Sequence, residues 1–270
     1  MSDSTEVVKK GSPLPLFNFI RRMFIGSSGE MSAGKFELLM VIPSVIVMIL
    51  ISIIPIFILI ILSFFKTQFA VNPKFTGLAN YFFILKDDPA FWNSIQKSFI
   101  YTGGTVSISF IVAMAVALDL NHKGIKLVTF YRTMTLLPWA MPVIVSAFMW
   151  YMLFDIHGVL NDILLRLGLI SQSIVFLGEK TEAMFSVILT DIWIRTPLMI
   201  VILLAALQTI PEDLVEAAMI DGAGPVQRFR HVTIPVIKPA LYFVLLINSI
   251  FAFRTFEIGQ VLTRGGPGGA

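Results

Sequence analysis

Long apolar stretches separated by polar intervals dominate the pattern of this 270-residue chain. A helix needs about 20 apolar residues to cross the roughly 30 Å hydrocarbon core of a bilayer. The stretches that meet this length predict membrane spans over residues 38–65, 99–120, 127–154, 184–207 and 241–261. The pattern therefore predicts an all-α membrane protein, a polytopic bundle of transmembrane helices within residues 38–270.

The polar intervals predict shorter elements around this bundle. Residues 1–37 carry charges of both signs and predict a cytoplasmic tail, in which residues 14–24 alternatively form a helix on the membrane surface. A short interfacial helix is predicted over residues 160–167. Within the third span, Pro138 and Pro142 predict a bend, which is either a simple kink or a place where freed carbonyl groups line a cavity.

The interval 209–235 predicts two short helices joined by a bend. Thr209 is expected to cap the first helix, with Glu212 three positions later completing a capping box. Gly222 can adopt the backbone angles that end a helix. Pro225 is expected to open the second helix and Pro235 to end it.

Composition supports a membrane protein without a catalytic centre. The chain is 56% hydrophobic and 14% charged, whereas soluble domains are about 25% charged. It has no cysteine, which excludes disulfides, thiolate metal sites and cysteine catalysis. The three histidines, His122, His157 and His231, fall in separate loops, so neither a metal cluster nor a catalytic triad is supported. We therefore predict that the chain is not an enzyme.

A near match to a phosphate-binding loop lies before the first span. Gly29, Gly34 and Lys35 give the spacing G-x-x-x-x-G-K, but Phe36 stands where the motif needs Ser or Thr. The motif also needs a preceding strand and a hydroxyl for magnesium. We therefore expect this chain to bind no ATP, metal or other cofactor itself.

The positive charges favour a cytoplasmic N-terminus. With that orientation, eleven of the 20 Lys and Arg residues lie in cytoplasmic segments and seven in external ones. Cytoplasmic loops of membrane proteins carry the excess of Lys and Arg. This topology places residues 209–235 in the cytoplasm.

Several polar residues interrupt the fourth and fifth spans. Asp191 and Arg195 are four positions apart, so they can pair on one face of a helix. Ionisable residues inside a membrane indicate function by default, although a self-neutralising pair that orients the bundle explains them equally simply. The candidates for a translocation path are Asp191, Trp193, Arg195, Asn248, Arg254 and Glu257.

The interval 209–235 resembles the EAA signature of permease subunits in bacterial binding-protein-dependent ABC importers. That pattern has Glu-Ala-Ala, a Gly six positions after the Glu, and a closing Ile-x-Leu-Pro. Residues 216–218 and Gly222 match it outright, and residues 232–235 match the end with conservative changes. The sequence Asp-Gly-Ala at 221–223 is similar to the carbohydrate-uptake (maltose and glycerol-phosphate permease-like) branch.

The resemblance implies a type I ABC importer permease in a bacterial inner membrane, with a sixth span beyond residue 270. It implies a second homologous permease subunit, two subunits that bind ATP and magnesium, and an extracytoplasmic protein that delivers a sugar-like solute. Glu216 would be the charged contact with an ATP-binding subunit, while the small residues pack closely and allow the bend. The residues implied in this coupling are Glu216, Ala217, Ala218, Asp221, Gly222 and Pro235.

Other functions remain as alternatives. A secondary transporter driven by an ion gradient would use paired intramembrane charges such as Asp191 and Arg195. A membrane enzyme would need clustered His or acidic residues at a membrane face. A helix-turn-helix DNA reader would need a basic surface on a free domain, whereas residues 209–235 lie between two spans, so no nucleic-acid partner is expected.

Overall fold

The computed structural model describes residues 33–68, 71–122 and 128–266. Most of the predicted tail, 1–37, and the sixth span expected after residue 270 therefore lie outside the described residues. The chain divides into two compact units, Met1–Asp88 and Pro89–Ala270.

The first unit begins with an apolar rod. Helix α1 (Ala33–Met48) continues through a wide π turn (Ile49–Ile53) into α2 (Ile54–Leu62). The π turn directly precedes Pro55, and its looser backbone accommodates a proline ring and a missing N–H donor. The predicted first span, 38–65, therefore ends three residues early, because the chain turns into a strand.

A small hairpin follows, which the sequence pattern did not predict. Strands β1 (Phe65–Gln68) and β2 (Val71–Phe75) pair antiparallel, with Phe65 opposite Phe75. After α3 (Ala79–Phe82) and a π turn (Phe83–Asp87), the unit ends.

Two polar residues hold the hairpin to the end of the rod. The Asn80 side chain donates to the carbonyls of Ser63 at 2.8 Å and Phe65 at 3.1 Å. The hydroxyls of Tyr81 and Ser63 lie 2.6 Å apart. Gly77 turns the chain between them with a φ of +59°, which favours glycine.

The second unit is a helix bundle. Its long helices are α4 (Pro89–Leu120), α8 (Lys180–Leu207) and α11 (Ile234–Phe253). Its shorter helices are α5 (Val128–Ala140), α6 (Val143–Leu153), α7 (Val159–Arg166), α9 (Glu212–Ile220), α10 (Pro225–Arg228), and α12 (Glu257–Thr263), with a π turn over Phe229–Thr233. Helix α7 confirms that the short helix predicted over residues 160–167 forms, shifted by one residue.

Two predicted spans are broken in the structure. Helices α5 and α6 meet at an angle of 92°, and Pro142 caps α6. The third predicted span therefore consists of two separate helices rather than one helix with a kink. The fifth predicted span, 241–261, is not one helix, because α11 ends at Phe253 and α12 starts at Glu257. In the described chain, four helices are long and apolar enough to cross a membrane, or five if the bent pair counts as one span.

Two apolar clusters form the core of the second unit. The loop-proximal cluster, near residues 209–235, contains Ala113, Met114, Ala117, Leu120, Met199, Ile200, Leu203, Leu204, Leu207, Ile237, Leu241 and Val244. The loop-distal cluster contains Tyr101, Val106, Phe154, Val187, Ile194, Ala252, Ile258 and Leu262. Ala113 and Ala117 are fully buried, since small side chains let α4 and α8 approach closely in a lipid environment.

The turn between α6 and α7 gives a first prediction. A Cβ atom on Gly158 would lie 2.6 Å from the carbonyl oxygen of Leu153 and 2.7 Å from that of Met152. We expect Gly158→Ala to lower the amount of folded protein in the membrane severely, because backbone oxygens cannot move aside cheaply. Gly259→Ala is the matched control, because a Cβ there meets no atom within 4 Å. Equal yields of both variants, measured by fluorescence-detected size exclusion, would contradict the structure.

Candidate functional site

Residues 209–235, called the elbow below, form two short helices as predicted, but the start of the first differs. The cap of α9 is Pro211, with an extended ψ of 133°. The Thr209 hydroxyl instead donates to the carbonyl of Ala206 at 2.8 Å. The predicted Thr209 cap was therefore wrong, because the cap position falls on Pro211 and the end of α8 already occupies the Thr209 hydroxyl. Glu212 and Asp213 still lie in the first turn of α9, where the helix dipole favours acids.

The bend of the elbow forms at Gly222, as predicted. Its φ is +79°, in the left-handed region that L side chains rarely adopt. The N–H of Ala223 donates back to the carbonyl of Ala218 at 2.9 Å. Gly224 then starts α10, and its N–H donates to the Gln227 side chain at 2.9 Å. Both peptide donors at the bend are therefore satisfied locally.

Pro235 does not end the second helix, which corrects the sequence-based prediction. The chain is helical from Pro225 through the π turn (Phe229–Thr233) into α11, and Pro235 lies in the first turn of that helix. A π turn widens the backbone, which makes room for the proline ring. The elbow is therefore joined to α11 without a break in helical structure.

The motif residues lie on the accessible part of the elbow. Glu216, Ala217, Asp221, Gly222 and Pro235 are exposed. Ala218 is half-buried. At the bend, two apolar side chains are also largely exposed, Ile220 at 86% and Val226 at 78%. An accessible bend that exposes large apolar side chains beside polar ones fits the apolar core and polar rim of a protein contact surface.

A cavity of about 1000 Å³ separates α9 from the ends of α4 and α8. Glu216 lines it together with Arg132 and Arg228. The Nε atoms of both arginines are buried and have no hydrogen-bond partner among the described residues. Glu216 therefore carries its charge on the side of α9 that also faces two cations.

The predicted pairing inside the fourth span is confirmed. Arg195 Nε donates to Asp191 Oδ1 along one turn of α8. Asp191 is fully buried and the Arg195 side chain is 16% exposed. A buried charge without a partner would be very costly, so each residue depends on the other for its place in the bundle.

The structure places three residues beside the pair that sequence reasoning missed, Tyr101, Phe251 and Thr255. Arg195 Nη2 donates to the Thr255 hydroxyl at 2.5 Å, and its guanidinium lies 5.6 Å from the centre of the Phe251 ring. The Tyr101 hydroxyl on α4 is buried near Asp191 and Arg195 and forms no hydrogen bond of normal geometry with the described residues. The pair thus faces α4 and is bonded to the break between α11 and α12. In the sequence, only the polarity of Tyr101 and Thr255, which lie within or beside apolar stretches, could have marked them as partners of the pair.

The other path candidates do not join this group. Trp193 is half-buried and meets Trp150 edge to face, with ring centres 6.0 Å apart. Asn248 is 3% exposed and donates to the carbonyl of Val244 at 3.1 Å. Arg254 and Glu257 are exposed on either side of the break between α11 and α12. The described residues contain no group of three His, Cys, Asp or Glu that could hold a metal ion.

Comparison with protein families identifies the family of this chain. The family model of the binding-protein-dependent transport system inner membrane component matches residues 106–270. A trehalose/maltose transport system permease protein of Thermococcus litoralis is 37% identical, covering 88% of this chain and 80% of its own. A sulfoquinovosyl glycerol transport system permease protein of Agrobacterium fabrum is 34% identical, covering 85% and 74%. An sn-glycerol-3-phosphate transport system permease protein of Yersinia pestis is 35% identical, covering 74% and 66%.

Solved structures show the same fold. A bacterial ABC transporter involved in the import of the acidic polysaccharide alginate matches 92% of this chain and 83% of its own, with a TM-score of 0.66 and 20% identity. The alginate transporter in complex with a pentasaccharide-bound periplasmic protein matches 84% and 79%, with a TM-score of 0.67 and 20% identity. The chain therefore belongs to the family of binding-protein-dependent transport system inner membrane components, and is a multi-pass permease subunit of an ABC importer.

Proposed function

We propose that this permease forms, with a second permease subunit, the path by which a sugar-like solute crosses the membrane. An extracytoplasmic binding protein delivers the solute, and two separate subunits supply the energy by hydrolysing ATP with magnesium. The relatives named for trehalose and maltose, sulfoquinovosyl glycerol, and sn-glycerol-3-phosphate support this solute class. The range runs from neutral sugars to anionic polyol esters, so the common chemistry is a polyhydroxylated small molecule.

The geometry of the elbow is the main structural support for this proposal. Its bend at Gly222 is held by local hydrogen bonds, and from Pro225 onward the chain is helical without a break into the long helix α11. A push on α9 is then passed through the bend to α11, which is a shear or hinge type of motion. Glu216 supplies the charged contact with the ATP-binding subunit. Ala217 and Ala218 allow close approach, and the remaining motif residues, Asp221, Gly222 and Pro235, shape the bend.

The paired charges in α8 belong to the path as a gate rather than as a lining. Asp191 has no exposed surface in the chain, so a solute cannot touch it without a rearrangement. Arg195 bonds to Thr255 beside the break between α11 and α12. Trp193, Asn248, Arg254 and Glu257 remain the candidates for contacts along the path. The N-terminus is proposed to be cytoplasmic, which the distribution of Lys and Arg supports.

The secondary-transporter alternative gains no support from the comparisons, because the relatives described above are transport system permease proteins of binding-protein-dependent importers. It would also leave the elbow without a role. The two proposals differ in a simple biochemical property, since a secondary transporter needs no ATP-binding partner.

Purification of the tagged chain from its native membrane tests the proposal. We expect mass spectrometry to find a second permease and an ATP-binding subunit in stoichiometric amounts. Added binding protein is expected to stimulate ATP hydrolysis by the complex. A Gly222→Val variant, in which a β-branched residue would need a positive φ, is expected to lose the ATP-binding subunit selectively. Stable purification of the chain without any such subunit would contradict the proposal.

A further inference from the structure

A layer of polar residues interrupts the core of the second unit between its two apolar clusters. Each long helix passes from the loop-distal to the loop-proximal cluster through a polar position: Ser109 on α4, Thr196 on α8 and Asn248 on α11. Thr105 and Asp191 lie on the same helices, about one turn further from the elbow. The mid-bundle polar layer thus consists of Thr105, Ser109, Asp191, Arg195, Thr196 and Asn248.

Three hydroxyls of this layer are buried without a partner. Thr105 and Ser109 are each 1% exposed, and Thr196 is 5% exposed. Within the described part of the chain, none of the three hydroxyl oxygens has a hydrogen-bond partner. Thr190, which lies on α8 like Thr196, differs from these residues, because its buried hydroxyl donates to the carbonyl of Ser186 at 2.9 Å. Burial in a helix therefore does not by itself leave a threonine hydroxyl unpaired.

Acceptors are also present at this level of the bundle. Asp191 Oδ1 takes the hydrogen bond from Arg195, while Oδ2 accepts none of normal geometry from the described residues. Pro197 lies inside α8 and has no N–H to donate to the carbonyl of Trp193, four positions earlier. A proline ring also pushes the preceding turn of helix away, which loosens the backbone locally.

A set of unpaired buried polar groups is rare in native proteins because each one carries the full cost of losing its contact with water. Water is the ligand that satisfies donors and acceptors together, and a buried water makes about three hydrogen bonds. A cation is a poor fit here, because Arg195 already neutralises Asp191. An anion is a poor fit for the same reason.

We propose that the mid-bundle polar layer binds a small cluster of ordered water, about two or three molecules by the usual bonding of buried water. These waters accept hydrogen bonds from the hydroxyls of Thr105, Ser109 and Thr196. They donate to Asp191 Oδ2 and to the carbonyl of Trp193. The two apolar clusters then meet across a hydrated plane rather than through continuous apolar packing. Movement of one cluster against the other exchanges hydrogen bonds through water and leaves the packing inside each cluster intact.

Thr-to-Val substitutions test the proposal through the sign of a stability change. If the hydroxyls bond to water, Thr105→Val and Thr196→Val will each lower the apparent Tm of the assembled importer, because each removes one hydrogen bond. Thr190→Val is the matched control, because it removes a hydroxyl already bonded within the chain, and its Tm also falls. If the layer is dry, Thr105→Val and Thr196→Val will raise the Tm while Thr190→Val still lowers it, and the proposal is overturned.

Radiolytic labelling of the unmodified importer provides a second readout. Hydroxyl radicals form from bound water and oxidise the side chains beside it. We expect Tyr101, which borders the layer and is 9% exposed, to be labelled. Met199 in the loop-proximal cluster, fully buried and more easily oxidised, should stay unlabelled. If Tyr101 is as inert as Met199, the layer holds no water, and a fall in Tm of the valine variants would then mean that the hydroxyls bond to protein. This measurement decides the question even if the variants fail to assemble.

Discussion

Glu216→Lys in the assembled importer is expected to reduce ATP-driven solute uptake by more than tenfold. Reversal of the charge would set like charges against each other at the proposed contact, and like-charge juxtaposition at an interface costs several kcal/mol. The substituted side chain would also lie in the cavity that Arg132 and Arg228 line, so three cations would share one site. Uptake by reconstituted vesicles and stimulation of ATP hydrolysis by the binding protein measure the effect.

Asp213→Lys is the matched control for this prediction. It reverses a charge on the same helix α9, in its first turn, at a position that does not belong to the matched signature. We expect the control to keep most of its uptake. If Glu216→Lys transports as well as the unmodified importer, with normal stimulation of ATP hydrolysis, Glu216 is not the coupling contact.

Arg195→Leu is expected to have the largest effect on stability. It leaves Asp191 charged and fully buried without its partner, and breaking one side of a buried ion pair costs about 3–5 kcal/mol. It also removes the hydrogen bond to Thr255 and the contact with the Phe251 ring. We expect little folded protein in the membrane and no uptake.

The exposed pair on α7 provides the control for Arg195. Arg166 bonds to Asp162 at 2.9 Å with the same four-residue spacing, but both side chains are more than half exposed. Arg166→Leu should change the thermal stability of the importer little, since exposed ion pairs contribute little. The double variant Asp191→Asn, Arg195→Gln removes both charges and should regain folded protein. If Arg195→Leu is as stable as Arg166→Leu, the buried pair does not hold the bundle together.

The double variant also separates stability from gating. A neutral pair that folds but transports poorly would support the role of these residues in the path. Normal affinity and normal uptake by the same folded variant would place the gate elsewhere in the bundle.

The helical regions could be predicted because hydropathy is a local property of the chain. Apolar length alone located α4, α8 and most of the first rod, and the turn chemistry of Gly222 and Pro225 located the elbow. These features depend on residues close together in sequence. The family resemblance rested on the same local signals, and the family match confirmed it.

The sequence-based predictions that were wrong all concern geometry that depends on contacts with neighbouring elements. Pro142 marks the bend in the third span, but the angle of 92° depends on how α5 and α6 each pack in the bundle. Thr209 was predicted as a cap, but Pro211 takes the cap position and the Thr209 hydroxyl bonds to the end of α8. The hairpin at Phe65–Phe75 lacks a strong alternating pattern, and Asn80 and Tyr81 stabilise it from outside its strands.

Long-range partners were the hardest to foresee. Asp191 and Arg195 could be paired from their spacing on one helix. Thr255 is 60 positions away from Arg195, and only the register of α11 against α8 brings them together. The break after Phe253 carries neither Pro nor Gly, so no residue type announced that the fifth span would end there.

Transport by sealed vesicles distinguishes an ATP-driven permease subunit from a carrier driven by an ion gradient. The chain should be reconstituted with and without its second permease and ATP-binding subunits, and the uptake of a sugar-like solute carried by the cognate binding protein should be followed. We predict uptake only when all subunits, the binding protein, ATP and magnesium are present. Uptake by this chain alone, driven by an ion gradient without ATP, would contradict this prediction.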